Sequence, residues 1–383
     1  MSRASWGEAS RIRRKDPSLP CGAAPTHADR FMTAPKPTAK RRAAAAVPPG
    51  NPVLVEATRD PAVESRHAGA VAVVDAAGRT VAAWGDIERP VFPRSAIKPL
   101  QALLLVECGA ADAFKLGARE LALACASHGG EPAHVATVTA WLASVGLTES
   151  DLECGAHAPS AEAAALALLR AGTAPSQCHN NCSGKHAGML SAARFLRLPT
   201  RGYIRPDHRI QAEITRVLED LTGLGFADLP CGIDGCGIPA YALPLKNIAH
   251  AMARFGAPDE LPPARAAACR RLAAAMAAHP FLVGGTGRFC TALIQRSQGA
   301  VLIKTGAEGV FTAALPKLGL GVALKIDDGA RRAAQVAIAA VLRHVGALDD
   351  GDLEALAGFA RPRLTNWRGV EVGAVRPASG WPA

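Results

Sequence analysis

The chain has few aromatic residues and no long apolar run. Phenylalanine, tryptophan and tyrosine make up 4% of its 383 residues, which argues against a base-stacking surface for nucleic acid. The longest apolar runs, such as 102–106, fall far short of the roughly 20 residues that a membrane-spanning helix needs. Hydrophobic residues make up 49% and charged residues 20% of the chain, as in ordinary globular proteins. Fibrous, wholly disordered and membrane-spanning classes are therefore excluded.

The sequence also lacks the marks of a secreted, disulfide-bonded protein. Its ten cysteines are irregularly spaced, and they are too sparse for a disulfide scaffold. The first 30 residues contain no apolar segment of the kind found in secretory signals. We therefore expect free thiols and a cytoplasmic location.

Positive charge is concentrated at the N-terminus. Residues 1–50 contain 10 Lys/Arg and 3 Asp/Glu, a net charge of +7 out of the total of +10. This segment is also rich in proline and alanine and has no periodicity, so we expect a disordered basic leader. Met32 is a candidate for the true start, in which case residues 1–31 would not belong to the protein. Residues 51–383 are predicted to form one folded domain with no nucleic-acid or membrane partner.

The remaining pattern indicates an α/β protein. Strands are predicted at 53–57, 67–75, 80–84, 289–295, 300–304, 320–326 and 370–375, and helices at 94–107, 117–126, 131–145, 160–171, 184–196, 207–222, 245–254, 261–278 and 329–345. Strands at both ends of the chain with helices between them favour one sheet flanked by helices.

A Ser-x-x-Lys pattern, Ser95 to Lys98, opens the predicted helix at 94–107. Residues three apart share one helix face, and the positive end of the helix dipole favours a serine alkoxide. A lysine kept neutral by burial could accept the serine proton. Alone the pattern is weak, since it occurs by chance in many proteins and a capping serine beside a solvated lysine is the commoner explanation.

Lys304-Thr305-Gly306 follows a predicted strand and strengthens the case. A Ser-x-x-Lys motif followed much later by Lys-Thr-Gly is the order seen in serine β-lactamases and penicillin-binding proteins. Together the two motifs favour acyl transfer through a serine. The Ser-Asp-Asn element of those proteins is missing, and Ser127 is the nearest substitute, with a helix-capping serine as the alternative of equal weight.

Two segments that combine cysteine with glycine could hold a metal or a nucleophile. Cys182 and Cys236 could share a zinc ion, although two cysteines without a clear histidine pair are a weak signal. Alternatively, Lys185 and His186 could lower the pKa of Cys182 and make it a nucleophile.

A glycine-rich loop at 284–287 precedes Arg288. This arginine could bind a substrate carboxylate, while a simple turn into the predicted strand fits the pattern equally well.

Seven segments in order resemble the L-asparaginase II family of the Rhizobium etli type. They are NPVLVEATR at 51–59, ESRHAGAVAVVD at 64–75, RSAIKPLQA at 94–102, ALACASHGGEP at 122–132, HNNCSGKHAGML at 179–190, GIDGCGIPAYALPL at 232–245 and IKTGAEG at 303–309. The resemblance implies an α/β fold like that of serine β-lactamases and glutaminases, with a mainly antiparallel sheet flanked by helices and a helical lobe. It also implies an L-asparagine amidohydrolase that forms homodimers.

The resemblance implies a tandem of Ser-Lys pairs, Ser95 with Lys98 and Ser127 with Lys304. The sequence does not decide which serine attacks, and we favour Ser95 because its lysine is only three residues away. Ser127 and Lys304 would then relay a proton to the departing ammonia. Main-chain N–H groups near Ser95 and along 304–306 would hold the oxyanion.

The resemblance further implies a zinc site formed by Cys182, Lys185 and Cys236, in which the metal supports substrate binding rather than chemistry. The other positions that match the family's pocket are Arg94, His186, Asp234 and Cys290. We expect Asp234 to bind the α-ammonium group of the substrate and Arg94 or Arg288 its α-carboxylate.

One departure from the family is Gly129-Gly130 after Ser127, where family members often have Ser-Gly. Two alternative functions remain open at this point. One is a serine hydrolase acting on a β-lactam, glutamine or another small amide, and the other is a non-enzymatic zinc-binding scaffold.

Overall fold

Strands from both ends of the chain pair in one antiparallel sheet in the computed structural model, which describes residues 50–382. The predicted leader, apart from Gly50, lies outside the described residues. In chain order the strands are β1 Val53–Arg59, β2 Ala62–Asp75, β3 Thr80–Trp84, β4 Pro90–Val91, β5 Cys231–Ile233, β6 Pro239–Tyr241, β7 Leu243–Pro244, β8 Leu302–Thr305, β9 Val310–Leu315, β10 Leu320–Ile326, β11 Arg363–Thr365 and β12 Glu371–Pro377.

The main sheet has eight strands in the order β11-β12-β1-β2-β10-β9-β8, and β3 also pairs with β2. The long strand β2 pairs with β1 through its first half and with β10 through its second half, where Val73 lies opposite Val322. Successive residues 70–74 of β2 are all buried. Because neighbouring side chains of a strand point to opposite faces, both faces of the sheet are covered.

The helices are α1 Lys98–Gln101, α2 Leu103–Glu107, α3 Ala110–Ala113, α4 Ala118–Ala124, α5 Pro132–Ser144, α6 Glu162–Arg170, α7 Ser183–Phe195, α8 Arg209–Thr222, α9 Leu245–Gly256, α10 Pro263–Ala278, α11 Pro280–Gly284, α12 Phe289–Arg296, α13 Arg331–His344, α14 Asp350–Ala355 and α15 Ala357–Ala360. Helices α9 and α13 pack on the sheet, while most of the other helices between β4 and β8 form the lobe that carries much of the site. The expected fold class, a mainly antiparallel sheet flanked by helices with a helical lobe, is confirmed.

One predicted strand is wrong. The segment 289–295 is helix α12, not a strand. Its buried residues are Phe289, Cys290, Leu293 and Ile294, which recur at the spacing of a helix face. A short apolar run does not distinguish a strand from a buried helix by itself, and here the helical period prevails.

The predicted helix at 94–107 is divided into a 3₁₀ turn, Arg94–Ile97, and the short helices α1 and α2. The strand β9 was not predicted.

Helix α9 packs very closely against strand β10: a Cβ at Gly321 of β10 would lie 2.0 Å from Ala249 O in α9. Within residues 50–382, no helix is both long and apolar enough to cross a membrane.

Candidate active site

Ser95 lies in a turn with unusual backbone geometry. The preceding residue, Arg94, has φ of 51°, a left-handed conformation that a non-glycine residue adopts only when its surroundings enforce it. Two contacts hold the turn: Ala96 N–H donates to Pro93 O at 3.0 Å, and Thr312 Oγ1 donates to Ala96 O at 2.8 Å. Thr312 belongs to β9, so the sheet fixes the position of the serine.

A cavity of about 190 Å³ opens beside this turn, and we call it the Ser95 cavity. It is lined by Arg94, Ser95, His157, Asn180, Asn181, Cys182, Asp234, Gly235, Cys236 and Ala307. Two larger grooves, of about 950 and 630 Å³, lie away from both candidate serines. The Ser95 cavity therefore has the size and the reactive groups of a site for a small molecule.

Ser127 is the meeting point of the two candidate lysines. Its hydroxyl oxygen is 3.0 Å from Lys98 Nζ and 2.8 Å from Lys304 Nζ. All three side chains are buried, with exposures of 6%, 0% and 1% in that order. The Lys304 amine also donates to Thr305 O at 3.0 Å.

The hydrogen bonds thus differ from the expected pairing of Ser95 with Lys98. Lys98 Nζ approaches Ala126 O at 2.5 Å and Asn181 O at 3.3 Å in addition to Ser127, and no hydrogen bond joins it to Ser95 in the described residues. Ser95 lies in the 3₁₀ turn and Lys98 begins the next helix. The Lys98 amine is therefore held by three oxygen acceptors on neighbouring segments and not by Ser95.

Burial favours the neutral form of both lysines. Because an ammonium ion loses its hydration in the interior, burial lowers the pKa of Lys98. Burial and, secondarily, the charge of Lys98 lower the pKa of Lys304 to about 7. A neutral amine at Lys304 is therefore available as a proton acceptor near neutral pH.

Three hydrogen bonds fix the loop that carries Ser127. They join residues 127–131 to residues 283–286, and we call this contact the strap. Ser127 N–H donates to Val283 O at 3.0 Å, and the Glu131 carboxylate accepts from Thr286 N–H at 2.8 Å and Thr286 Oγ1 at 2.6 Å. The strap ties the end of α4 to α11 and thereby fixes the position of the Ser127 hydroxyl.

The departure from the family at Gly129-Gly130 has a local physical basis. Gly130 has φ of 73°, and a Cβ there would lie 2.9 Å from His179 O. A Cβ at Gly129 would lie 3.1 Å from Glu131 Oε1 and 3.2 Å from Ala161 Cβ. The loop passes so close to its neighbours that both positions favour glycine.

Cys182, Lys185 and Cys236 come together at one side of the Ser95 cavity. Lys185 Nζ is 3.0 Å from Cys236 Sγ. A hydrogen bond from Cys236 lowers the pKa of the Cys182 thiol well below its usual range, and the charges of Lys98 and Lys185 reinforce the effect against the penalty of burial. The same hydrogen bond, with burial, raises the pKa of Cys236. These shifts favour a thiolate at Cys182, and the charges of the two sulfurs in turn raise the pKa of Lys185 against the effect of burial.

This donor set suits a zinc ion. Zinc prefers sulfur and nitrogen ligands in tetrahedral geometry, and catalytic sites often keep three protein ligands and one open position. In residues 50–382 there is no group of three or more His, Cys, Asp or Glu side chains placed to hold a metal. A metal here would therefore depend on Lys185 as its third protein ligand.

The Arg94 guanidinium and the Asp234 carboxylate form an ion pair at the edge of the cavity, with Nε and Oδ2 2.7 Å apart. The charges of Lys185 and Arg94 lower the pKa of Asp234 against the effect of burial, which is individually the largest influence. Asp234 lies at the turn of the β5–β6 hairpin, next to Gly235 and Cys236. A cation and an anion side by side are complementary to the two charged α-groups of an amino acid.

Three other predicted residues do not line the Ser95 cavity. His186 is fully buried, with Nδ1 2.7 Å from Tyr203 Oη and no partner for Nε2 among the described residues. Arg288 donates to Ser160 Oγ at 3.2 Å. Cys290 is buried in α12, where burial raises its pKa.

The sequence did not single out His157, Asn180, Asn181 or Glu131. Asn180 and Asn181 belong to the segment 179–190 that carries part of the family resemblance, whereas His157 lies in a loop with no motif. His157 Nε2 accepts a hydrogen bond from Asn181 N–H at 3.0 Å, which brings it to the cavity wall. Such a loop contact depends on tertiary packing and leaves no local signal.

Comparison with known proteins gives one family match. The family model described as L-asparaginase II matches residues 55–377. No curated protein matches the chain at a significant level.

Two solved structures are similar at low identity. One, a protein named Mglu in its native form, is 14% identical with a TM-score of 0.42, and the match covers 74% of this chain and 66% of that one. The other is a β-lactamase from Mycobacterium bovis, 14% identical with a TM-score of 0.40, covering 72% of this chain and 94% of that one. The chain thus spans slightly less than two thirds of the length of the first of these structures.

Proposed function

Because the chain belongs to the L-asparaginase II family, which consists of asparaginase-type amidohydrolases, we propose that it hydrolyses the side-chain amide of L-asparagine to L-aspartate and ammonia. The observation that carries the proposal is the ion pair of Arg94 and Asp234 beside Ser95 in one small cavity. A bound amino acid would place its α-carboxylate on Arg94 and its α-ammonium on Asp234. Its side-chain amide would then lie toward Ser95.

We assign the attacking oxygen to Ser95, because its side chain borders the cavity whereas Ser127 is buried behind it. The Ser95 hydroxyl oxygen forms a bond to the amide carbon, and its proton passes to the neutral amine of Lys98. The two groups lie three residues apart, and catalytic hydrogen bonds are often long or poorly aligned before substrate binds. The main-chain N–H of Ser95 would stabilise the oxyanion. The N–H of Gly306 is unsuited to this role, because it donates to Val310 O at 2.7 Å.

Collapse of the tetrahedral intermediate breaks the carbon–nitrogen bond and needs a proton on the leaving nitrogen. Lys98, Ser127 and Lys304 form a continuous hydrogen-bonded row that would supply it. Ammonia leaves, and a β-aspartyl ester remains on Ser95. Water then adds to the ester carbon, the bond to the Ser95 oxygen breaks, and the same row returns the serine proton.

We further propose that Cys182, Lys185 and Cys236 hold zinc. When bound, the metal would supply positive charge that strengthens substrate binding. A homodimer in the cytoplasm remains part of the proposal, and light scattering of the purified protein tests the dimer.

The first experiment is ammonia release by the purified protein with L-asparagine and L-glutamine side by side. We expect release from asparagine far above that from glutamine. Release from neither, by folded protein, would contradict the proposal and direct attention to β-lactams and other amides, or to a non-enzymatic zinc-binding scaffold.

Two matched variants separate the roles of the serines. Ser95→Ala should abolish both turnover and formation of a covalent aspartyl adduct, which intact-protein mass spectrometry detects. Ser127→Ala should slow turnover but still form an adduct on Ser95. An adduct on Ser127 in the Ser95→Ala protein would reverse the assignment.

A further inference from the structure

A second, narrower cavity also reaches Ser95. We call it the α8 crevice, because residues of α8 form one of its walls. It has room for about 20 Å³ of water, which corresponds to one molecule. Arg94, Ser95 and Asp234 border both the α8 crevice and the Ser95 cavity. The reactive serine is therefore accessible from two directions.

The polar side chains of the crevice have free hydrogen-bonding capacity. Ser95, Gln101 and Thr215 line it, and none of their side chains makes a hydrogen bond within the described part of the chain. Gln211 donates through Nε2 to Tyr203 O at 2.8 Å, which leaves its amide oxygen to face other donors. A buried water typically needs two to four such partners, about three on average.

Lys185, Tyr241 and the Arg94–Asp234 ion pair also border the crevice, and the remainder of its wall is apolar. Ile97, Ile214, Leu218, Phe226 and Leu243 surround the polar groups. A water molecule in this space would bond only to the few polar side chains and would be held in one place by them. The crevice is therefore a built site for a single water beside Ser95, not a general solvent channel.

The two cavities suit the two halves of the proposed reaction. After acylation the aspartyl group occupies the Ser95 cavity, with its α-groups on Arg94 and Asp234. Water from that side is then excluded by the substrate itself. A molecule in the α8 crevice remains next to the ester and needs no opening of the site.

We propose that the α8 crevice binds the water that hydrolyses the β-aspartyl ester on Ser95, held by Gln101 and Thr215. This inference rests on the proposed function. The water oxygen forms a bond to the ester carbon, and one water proton passes to Lys98. The bond from that carbon to the Ser95 oxygen breaks, and the serine recovers a proton from the lysine. No oxidant, reductant or further reactant is needed.

The test uses the full-length protein with Thr215→Val and Gln101→Leu, which remove the polar groups at nearly constant volume. Thr222→Val is the matched control on the same helix, because Thr222 Oγ1 donates to Leu218 O at 2.7 Å and does not border the crevice. Rapid-quench measurement of ammonia follows acylation, and measurement of aspartate follows ester hydrolysis. Thermal unfolding confirms that each variant is folded.

We expect each crevice variant to release the first equivalent of ammonia at the wild-type rate and to form aspartate about ten-fold more slowly, as for the loss of roughly 1.4 kcal/mol. The aspartyl adduct should accumulate in their mass spectra, whereas the control should match wild type. Unchanged aspartate formation, or an equal slowing of both steps, would overturn the inference. Wild-type protein that releases no ammonia and forms no adduct would instead refute the proposed function, and this inference with it.

Discussion

At the scale of single residues, the site is governed by two buried lysines that share one serine. The amine nitrogens of Lys98 and Lys304 both lie within hydrogen-bond distance of Ser127 Oγ. Two ammonium ions this close repel each other in a medium of low dielectric constant, so the protein holds one of them neutral at little cost. The Ser127 hydroxyl accepts from one amine and can donate to the other. Proton transfer along this row then needs only small shifts of heavy atoms.

This arrangement predicts the pH dependence of the reaction. The pKa of Lys304 is about 7, so above pH 7 its neutral amine can take up the serine proton that Lys98 passes along the row, and below pH 7 it cannot. We expect kcat/KM for asparagine to fall as pH decreases through about 7. A pH–rate profile of wild type, with Lys304→Arg as the control that keeps the charge, checks this. A profile that is flat from pH 6 to 8, in roughly the window where an amine with this pKa titrates, would contradict it.

The same lysine has a consequence for stability. Its pKa is 10.5 in the unfolded chain and about 7 in the folded one, so between these values the unfolded chain binds the extra proton. The free energy of unfolding therefore falls as pH decreases from 10.5 toward 7. Lys304→Met should be inactive but more stable by roughly 1–2 kcal/mol near pH 7. Urea unfolding at pH 7 and 9 tests whether the gain is larger at the lower pH.

Removal of metal should affect binding more than chemistry. We expect a chelator, or Cys236→Ser, to raise KM for asparagine while kcat stays within about three-fold of wild type, since the metal would contribute uniform binding. Metal analysis before and after treatment provides the control. A loss of kcat with unchanged KM would show that the ion takes part in the reaction.

At the scale of elements, the strap positions Ser127 between helices. Glu131 accepts two hydrogen bonds from Thr286. Glu131→Ala should lower kcat about ten-fold with little change in KM, because a misplaced relay group slows chemistry without altering substrate contacts. Glu162→Ala, on the exposed helix α6, is the control. A selective rise in KM would place Glu131 in substrate binding instead.

The contact of α9 with β10 gives a second prediction at this scale. A methyl group at Gly321 would clash with Ala249 O at 2.0 Å and Ala253 N at 2.3 Å, both backbone atoms. Gly321→Ala should therefore destabilise the protein by about 1–3 kcal/mol, as overpacking does. Gly358→Ala is the control, since a Cβ there meets nothing within 4 Å. Denaturant unfolding of both variants measures the difference.

At the scale of the whole molecule, the sequence predicted the sheet and helices better than the contacts within the site. The bounds of β3 and β10 agree with the prediction, because turns and β-branched residues mark them locally. The motifs also located Ser95, Lys98, Ser127 and Lys304 along the chain. They did not predict the hydrogen bond between Lys98 and Ser127, because it depends on how α1, α4 and β8 pack together.

The predicted division at residue 50 is open to a direct test. We expect a protein that begins at residue 50 to retain the kcat/KM and unfolding free energy of the full chain, because all the residues of the proposed reaction lie in 94–304. A large loss of activity in the shortened, folded protein would show that the leader takes part.

The pairing of β1 with β12 joins residues such as Val55 and Pro377, more than three hundred positions apart. Among the strands of residues 50–382, β8, which carries Lys304, is linked to β1 through β9, β10 and β2. During synthesis the ribosome therefore releases Ser95 and Ser127 long before their sheet can be completed. Until residues 302–377 have been synthesised, the apolar strands of the nascent chain lack their partners and are prone to aggregate. Activity should therefore appear only once the residues through 377, which complete the sheet, have been synthesised.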